Sequence, residues 1–178
     1  MKGKEEGVNP YAKYLEHRDP LAVATATPGK IVSLIRGLTP RQLAQRPAPG
    51  KWSIQEIICH LADTEMVMGC LARWIAFENH PTLVPFDQEK WADGRAREKE
   101  GLAETLERFR LLRRSQVRLF RQASRTDFRR TGFHPERGVV SLRVQLETLA
   151  GHDLNHLGQI QRLAAQHKAR QKGRPLPG

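Results

Sequence analysis

The chain has 178 residues, of which 39% are hydrophobic and 28% charged, and it carries a formal net charge of +11. A chain of that length buries roughly 70% of its unfolded surface in a single domain, and its composition excludes wholesale disorder. No apolar run reaches the roughly 18 residues that a membrane helix needs, and the opening segment, MKGKEEGVNPYAKYLEHRDP, has no apolar stretch of the kind a secretory signal requires.

The two cysteines, Cys59 and Cys70, form neither a disulfide framework nor a zinc-finger spacing, which predicts a reduced, cytoplasmic setting. The positive charge is concentrated. Residues 95–130 hold twelve Lys and Arg against five Asp and Glu, and residues 157–178 hold five basic residues and no acid. Such a surface attracts anions. With no nucleic-acid motif and little aromatic content, however, the pattern reads as a solvated Arg-rich helix face and a basic tail, and nucleic acid is not expected as a partner.

Residues 1–26 read as an N-terminal extension packed on the domain. A first helix is predicted from about residue 27 to 37, with Thr27 as N-cap, Pro28 in its first turn and Ile31, Leu34, Ile35 and Leu38 on one face. A short helical turn follows Pro40. The second helix opens on Ser53-Ile54-Gln55-Glu56, a capping box in which hydroxyl and carboxylate each satisfy an orphan backbone donor. Ile54, Ile57, Leu61, Met68 and Leu71 then recur at helical spacing, up to about Asn79. Residues 80–99 read as a long irregular link of a length that often walls a pocket.

A third helix is predicted from about residue 101 to 123, its buried stripe carried by Leu102, Leu106, Phe109, Val117 and Phe120. Residues 131–138 form another link. The fourth helix, capped by Ser141, carries Leu142, Leu146, Leu149, Leu157, Ile160 and Leu163 to about Gln166. No segment of comparable length reads as a strand. Four amphipathic helices over residues 27–167 predict an all-α four-helix bundle with long connections between helices two and three and between three and four, followed by a flexible basic tail over 168–178.

Three histidines fall on the inward faces. His152 and His156 stand four apart, which on a helix separates them by about 6 Å along the axis and about 40° around it. Two imidazoles at that offset can share one metal ion. His156 shares its stripe with Leu142, Leu149 and Leu163. His60 lies beside Ile57 and Leu61 on the second helix, and bundle cores bring such residues together. Three neutral ligands would hold a borderline divalent cation and leave a position open for water or substrate. From spacing alone, metal ligation and hydrogen-bonded core histidines fit equally well.

Residues 50–65, GKWSIQEIICHLADTE, and 150–160, AGHDLNHLGQI, resemble the two signature helices of the DinB/YfiT-like superfamily, and residues 86–91 and 132–138 are also similar to its members. The likeness spans nearly all of residues 20–166, and the W-S-x-x-E-x-x-x-H and H-x-x-x-H motifs together are fairly specific. The resemblance implies a four-helix-bundle metalloenzyme with nickel or zinc held by His60, His152 and His156. It also implies frequent homodimers, a small-molecule substrate, and an activity of either low-molecular-weight thiol S-transfer or hydrolysis. It tips the balance towards metal ligation.

The leading expectation is a thiol S-transferase acting through a metal-bound thiolate. The alternative is a hydrolase acting through metal-bound hydroxide with Asp63 as base. A non-catalytic basic stress-response binding module is the third reading. Asp63, one turn from His60, is the candidate catalytic carboxylate. Glu56 reads as a capping partner, Asp153 as facing another helix, Trp52 and Trp91 as core or pocket wall, and Cys59 as off the site. His134 reads as a surface-loop residue, and His17, His80 and His167 as solvated.

Overall fold

The computed structural model describes residues 9–94 and 100–173. Its elements are α1 (Ala12–Leu15), α2 (Pro20–Ile35), α3 (Pro40–Ala44), α4 (Ile54–Phe77), α5 (Gln88–Gly94), α6 (Leu102–Gln122), a 3-10 turn (Asp127–Arg129), strands β1 (Thr131–His134) and β2 (Gly138–Ser141), and α7 (Leu142–Lys172). The four long helices form the predicted bundle. Both α2 and α4 pack on α6 and on α7, which closes a ring in the order α2, α6, α4, α7.

Local chemistry sets the helix starts. The capping box at Ser53 is present in full, with Ser53 Oγ accepting from Glu56 N and the Glu56 carboxylate accepting from Ser53 N. Ser141 Oγ caps α7 through Val144 N. The short helix after Thr39 carries a second capping box closed by Gln42.

The first long helix departs from expectation. It starts seven residues earlier than Thr27, at Pro20, with Asp19 Oδ1 capping Leu21 N. Thr27 and Pro28 therefore lie inside the helix. Thr27 is buried, and its hydroxyl donates to Val23 O at 2.9 Å. Pro28 has no N–H to offer the carbonyl of Ala24 one turn back. That carbonyl accepts instead from Arg113 Nη1 of α6, at 2.8 Å, so a side chain from the neighbouring helix fills the gap that the proline leaves.

The connections carry more structure than the sequence suggests. The link after α4 contains α5. The link before α7 contains the β1–β2 antiparallel hairpin, in register from Thr131↔Ser141 to His134↔Gly138. Residues 81–83 lie along β1, with Leu83 N donating to Phe133 O and Phe133 N to Pro81 O. This ties the two long connections together at one end of the bundle. The expected tail is helical as far as Lys172; residues 174–178 lie outside the described residues, as do residues 1–8 of the N-terminal extension.

The apolar core is divided. The two larger clusters hold Met68, Leu71, Ile75, Val117, Phe120 and Leu146, and Ile31, Ile54, Ile58, Phe109, Leu157 and Ile160; a third, small one holds Leu15, Val23 and Ala150. On α4, α6 and α7 the apolar residues give way at a common level to buried polar ones: Glu65 on α4, Arg113 and Gln116 on α6, and Thr148, His152 and Asp153 on α7. Each fully buried Ile, Leu or Phe in the two clusters contributes about 1.5–3 kcal/mol. In the polar layer between them Arg113 is hydrogen-bonded to Glu65 and Asp153, and Gln116 to the Glu65 carbonyl, while the Thr148 hydroxyl is buried without a partner.

The segment around α1 packs on α7. A Cβ added at Gly151 would lie 2.6 Å from Tyr11 O, so glycine at 151 is what allows this close backbone approach. Gly151→Ala is expected to push the segment off α7 at a cost of about 1–3 kcal/mol. Faster amide exchange over residues 9–15, with unchanged exchange in α4, is the measurement that checks it.

Candidate metal centre

His60 projects from α4 two turns after its cap, and His152 and His156 project from successive turns of α7 where α4 and α7 pack together. All three are buried, at 5–6% exposure. His152 Nε2 lies 3.0 Å from His60 Nε2 and 3.1 Å from His156 Nε2. One donor atom from each ring fits within a span of 4.8 Å. Two ligand nitrogens at 2.0–2.1 Å from a common ion stand about 3.0–3.4 Å apart, so the two short separations suit a shared cation.

The protonation chemistry points the same way. His156 Nδ1 lies 3.0 Å from Gln159 Oε1. A carboxamide oxygen only accepts, so Nδ1 carries the hydrogen and Nε2 keeps its lone pair facing the cluster. His152 Nδ1 is buried without a hydrogen-bond partner. A single N–H on His152 Nε2 could serve only one of its two neighbours. Hydrogen bonds among the rings therefore serve only one of the two Nε2 neighbours of His152, whereas one cation takes up all three Nε2 lone pairs; His152 Nδ1 stays without a partner in either case, and the Thr64 hydroxyl lies 3.4 Å from His60 Nε2.

Burial, followed by the neighbouring imidazoles and Arg113, holds the His152 pKa well below the ordinary histidine value. Burial also lowers that of His156, against the opposing pull of Gln159 and Asp153. Both rings are thereby kept neutral, the form a metal needs.

Aromatic rings enclose the cluster. Trp52 lies 4.8 Å from the His60 ring and stacks at 6.4 Å on His156; Tyr11 meets His152 edge-on at 5.1 Å. Trp52 is thus a wall of the site, as expected. On one side a small cavity lined by Trp52, Glu56, His60, Asp63, Phe86 and Trp91 opens against His60. Asp63 shares this cavity, and its carboxylate accepts from Arg108 Nη1 at 3.3 Å, while the same guanidinium is held by Glu100. Glu56 is the capping partner, as read, and is also paired with Arg46. Cys59 faces Thr105, away from the three rings.

Two histidine expectations are corrected. His134 is buried on β1, where the hairpin turns it inward and its Nδ1 accepts from Glu136 N. His167 is buried on the extended α7, because that helix continues past Gln166 and keeps packing there. Neither joins the cluster.

Sequence reasoning missed the neighbouring ion network. Arg113, read as part of a solvated face, is 2% exposed. Its Nη2 donates to Glu65 Oε2 at 2.7 Å and to Asp153 Oδ1 at 3.0 Å, and its Nη1 donates to Asp153 Oδ2 as well as to Ala24 O. One guanidinium on α6 thus reaches α2, α4 and α7. Burial alone would lower its pKa, but Asp153 and Glu65 outweigh burial and raise it. The signal was present: position 113 falls four residues after Phe109 and four before Val117, on the buried stripe. Asp153 does face another helix, as expected.

No helix among the described residues is long and apolar enough to cross a membrane. A protein of Oceanobacillus iheyensis named "putative metal-dependent hydrolase" is 28% identical over 133 residues, covering 75% of this chain and 77% of that one. A Bacillus cereus protein of the same name is 26% identical over 133 residues, with 75% and 76% covered. YfiT from Bacillus subtilis, whose structure is described as that of "a probable metal-dependent hydrolase with an unusual four-helix bundle topology", superimposes with a TM-score of 0.76 over 92% of both chains at 20% identity, which establishes the common fold. The DinB superfamily model matches residues 24–160, a stretch that takes in His60, His152 and His156, and the chain belongs to that superfamily.

Proposed function

We propose that this protein is a divalent-metal-dependent hydrolase whose ion is held by His60, His152 and His156. The observation that carries the reading is the convergence of the three Nε2 atoms, with separations of 3.0 and 3.1 Å about His152. When bound, a divalent ion with three protein ligands supplies a Lewis acid and lowers the pKa of a coordinated water towards 7. Zinc and nickel both suit three imidazoles.

This chain's own residues do the rest. Asp63 lines the cavity that opens on His60, where a carboxylate serves as general base, and Arg108 fixes its orientation. Trp52, Phe86 and Trp91 form the aromatic part of the wall on that side. Hydrolysis is preferred to the thiol transfer first expected, because the relatives carry the name "putative metal-dependent hydrolase" and the Asp63 carboxylate lines the same small cavity as His60. The test is to assay stripped and zinc- or nickel-reconstituted protein against ester and amide panels, with and without glutathione. Metal-dependent, thiol-independent product release supports hydrolysis. Transfer that requires the thiol, with no hydrolysis, contradicts it.

Gln159 fixes the His156 tautomer from outside the ligand set. Gln159→Leu is expected to weaken metal binding about 10–100-fold while the melting temperature of the metal-free protein stays nearly constant. Gln159→Glu, which retains the acceptor, restores most of the affinity. A competition titration with a chromogenic chelator reads both variants.

A further inference from the structure

Beside the metal centre lies a second, larger cleft of about 650 Å³, between the segment 46–52, α5 and the second half of α7. It shares Trp52, Arg46 and Ala92 with the small cavity at His60, so the two spaces adjoin. Gln159, the partner of His156, also lines it. Trp52, Leu163 and, to a small extent, the buried Ile57 give its lining an apolar part, beside the polar side chains of Gln159 and Gln166.

The rim is charged unevenly. Arg46 is neutralised by Glu56. Lys51 and Arg162 are exposed and have no ion pair among the described residues. The Arg162 guanidinium is folded back along α7, within 3.6 Å of the place a Cβ would take on Gly158, which turns it towards the histidine-bearing turns. Glu89 on α5 is the one acid among the described residues that line it. The +11 charge of the chain adds a long-range field that draws anions in.

We infer that this cleft is the substrate site and takes small amphipathic anions, with an apolar body against Trp52, Ile57 and Leu163 and an acidic group held by Lys51 and Arg162. The inference rests on the metal-enzyme reading for the word substrate, but the binding it requires does not depend on the ion. A chelated sample therefore tests it separately: failure to retain metal sinks the first reading and leaves the cleft result standing.

The experiment is a calorimetric titration of the full chain, as isolated and after chelation, with N-benzoylglycine and its uncharged isostere N-benzoylglycinamide. The acid is expected to bind about fivefold to tenfold more tightly than the amide in both samples, the range two exposed charge contacts supply. Lys51→Gln with Arg162→Gln removes that preference. Arg114→Gln with Arg118→Gln, on an exposed face of α6, removes the same net charge and leaves the preference intact. Equal affinity for acid and amide, no detectable binding of the acid, or a preference that persists without Lys51 and Arg162 overturns the inference.

Discussion

Replacing His152 with alanine is expected to abolish metal retention while leaving the fold in place. His152 is central to the proposed ligand set, since its Nε2 is the atom within about 3 Å of both other candidate donors. Loss of a residue that merely orients a ligand costs about 10–100-fold in affinity, so loss of the ligand itself should cost on the order of 100-fold or more. The metal-free protein should tolerate the change. Truncating a buried side chain leaves a cavity, but it also removes a buried Nδ1 that has no partner, a group whose burial costs about 1–3 kcal/mol. The two effects oppose each other. Metal titration and thermal unfolding of the stripped variant separate them: affinity collapses, and the melting temperature moves by only a few degrees. A stripped variant that unfolds outright would mean that His152 is a structural core residue first.

The largest stability effect should come from a residue that touches no metal. Arg113→Met leaves Glu65 and Asp153 buried without their cation and frees the Ala24 carbonyl that Pro28 cannot satisfy. Breaking a buried ion network from one side costs about 3–5 kcal/mol, a drop of roughly 10 °C or more for a chain of this size. The loss has a pH signature. Burial already raises the Glu65 pKa above 4.5, against Arg113. Without the guanidinium that folded-state pKa rises further, so the folded variant holds more protons than the unfolded chain. The deficit relative to the parent protein therefore shrinks as pH falls towards 4.5 and grows as pH rises. Adding Glu65→Leu and Asp153→Leu should recover much of the stability, because an apolar replacement of a whole buried network is often neutral. A deficit below 1 kcal/mol at neutral pH for Arg113→Met alone would contradict this role.

Much of this architecture is legible in the residues. The Ser53 capping box, the apolar periodicities of α4, α6 and α7, and the four-residue spacing of His152 and His156 rest on local rules, and all three appear as read. The misread start of α2 shows where local rules conflict. Thr27-Pro28 and Asp19-Pro20 carry the same start signal, and the choice between them is made by Arg113, eighty-five residues away from Pro28, which satisfies the carbonyl an internal proline would orphan. The hairpin escaped notice because its two four-residue strands are too short for a periodicity to register, and the segment that supports them, residues 81–83, joins from a distant part of the sequence. Arg113 was misassigned by its charge, although its position lies on the buried stripe. Asp63 sits by His60 as spacing suggested, but its attachment to Arg108 and Glu100 is tertiary and invisible in sequence.

The most direct test is the metal content and ligand environment of the full chain, purified without chelator and without a histidine-rich tag. Elemental analysis should find close to one divalent ion per chain, and X-ray absorption should find imidazole nitrogens at about 2.0–2.1 Å if that ion is zinc. Absence of a stoichiometric ion after reconstitution, or an ion retained undiminished when His60, His152 and His156 are all alanine, would contradict the proposed centre.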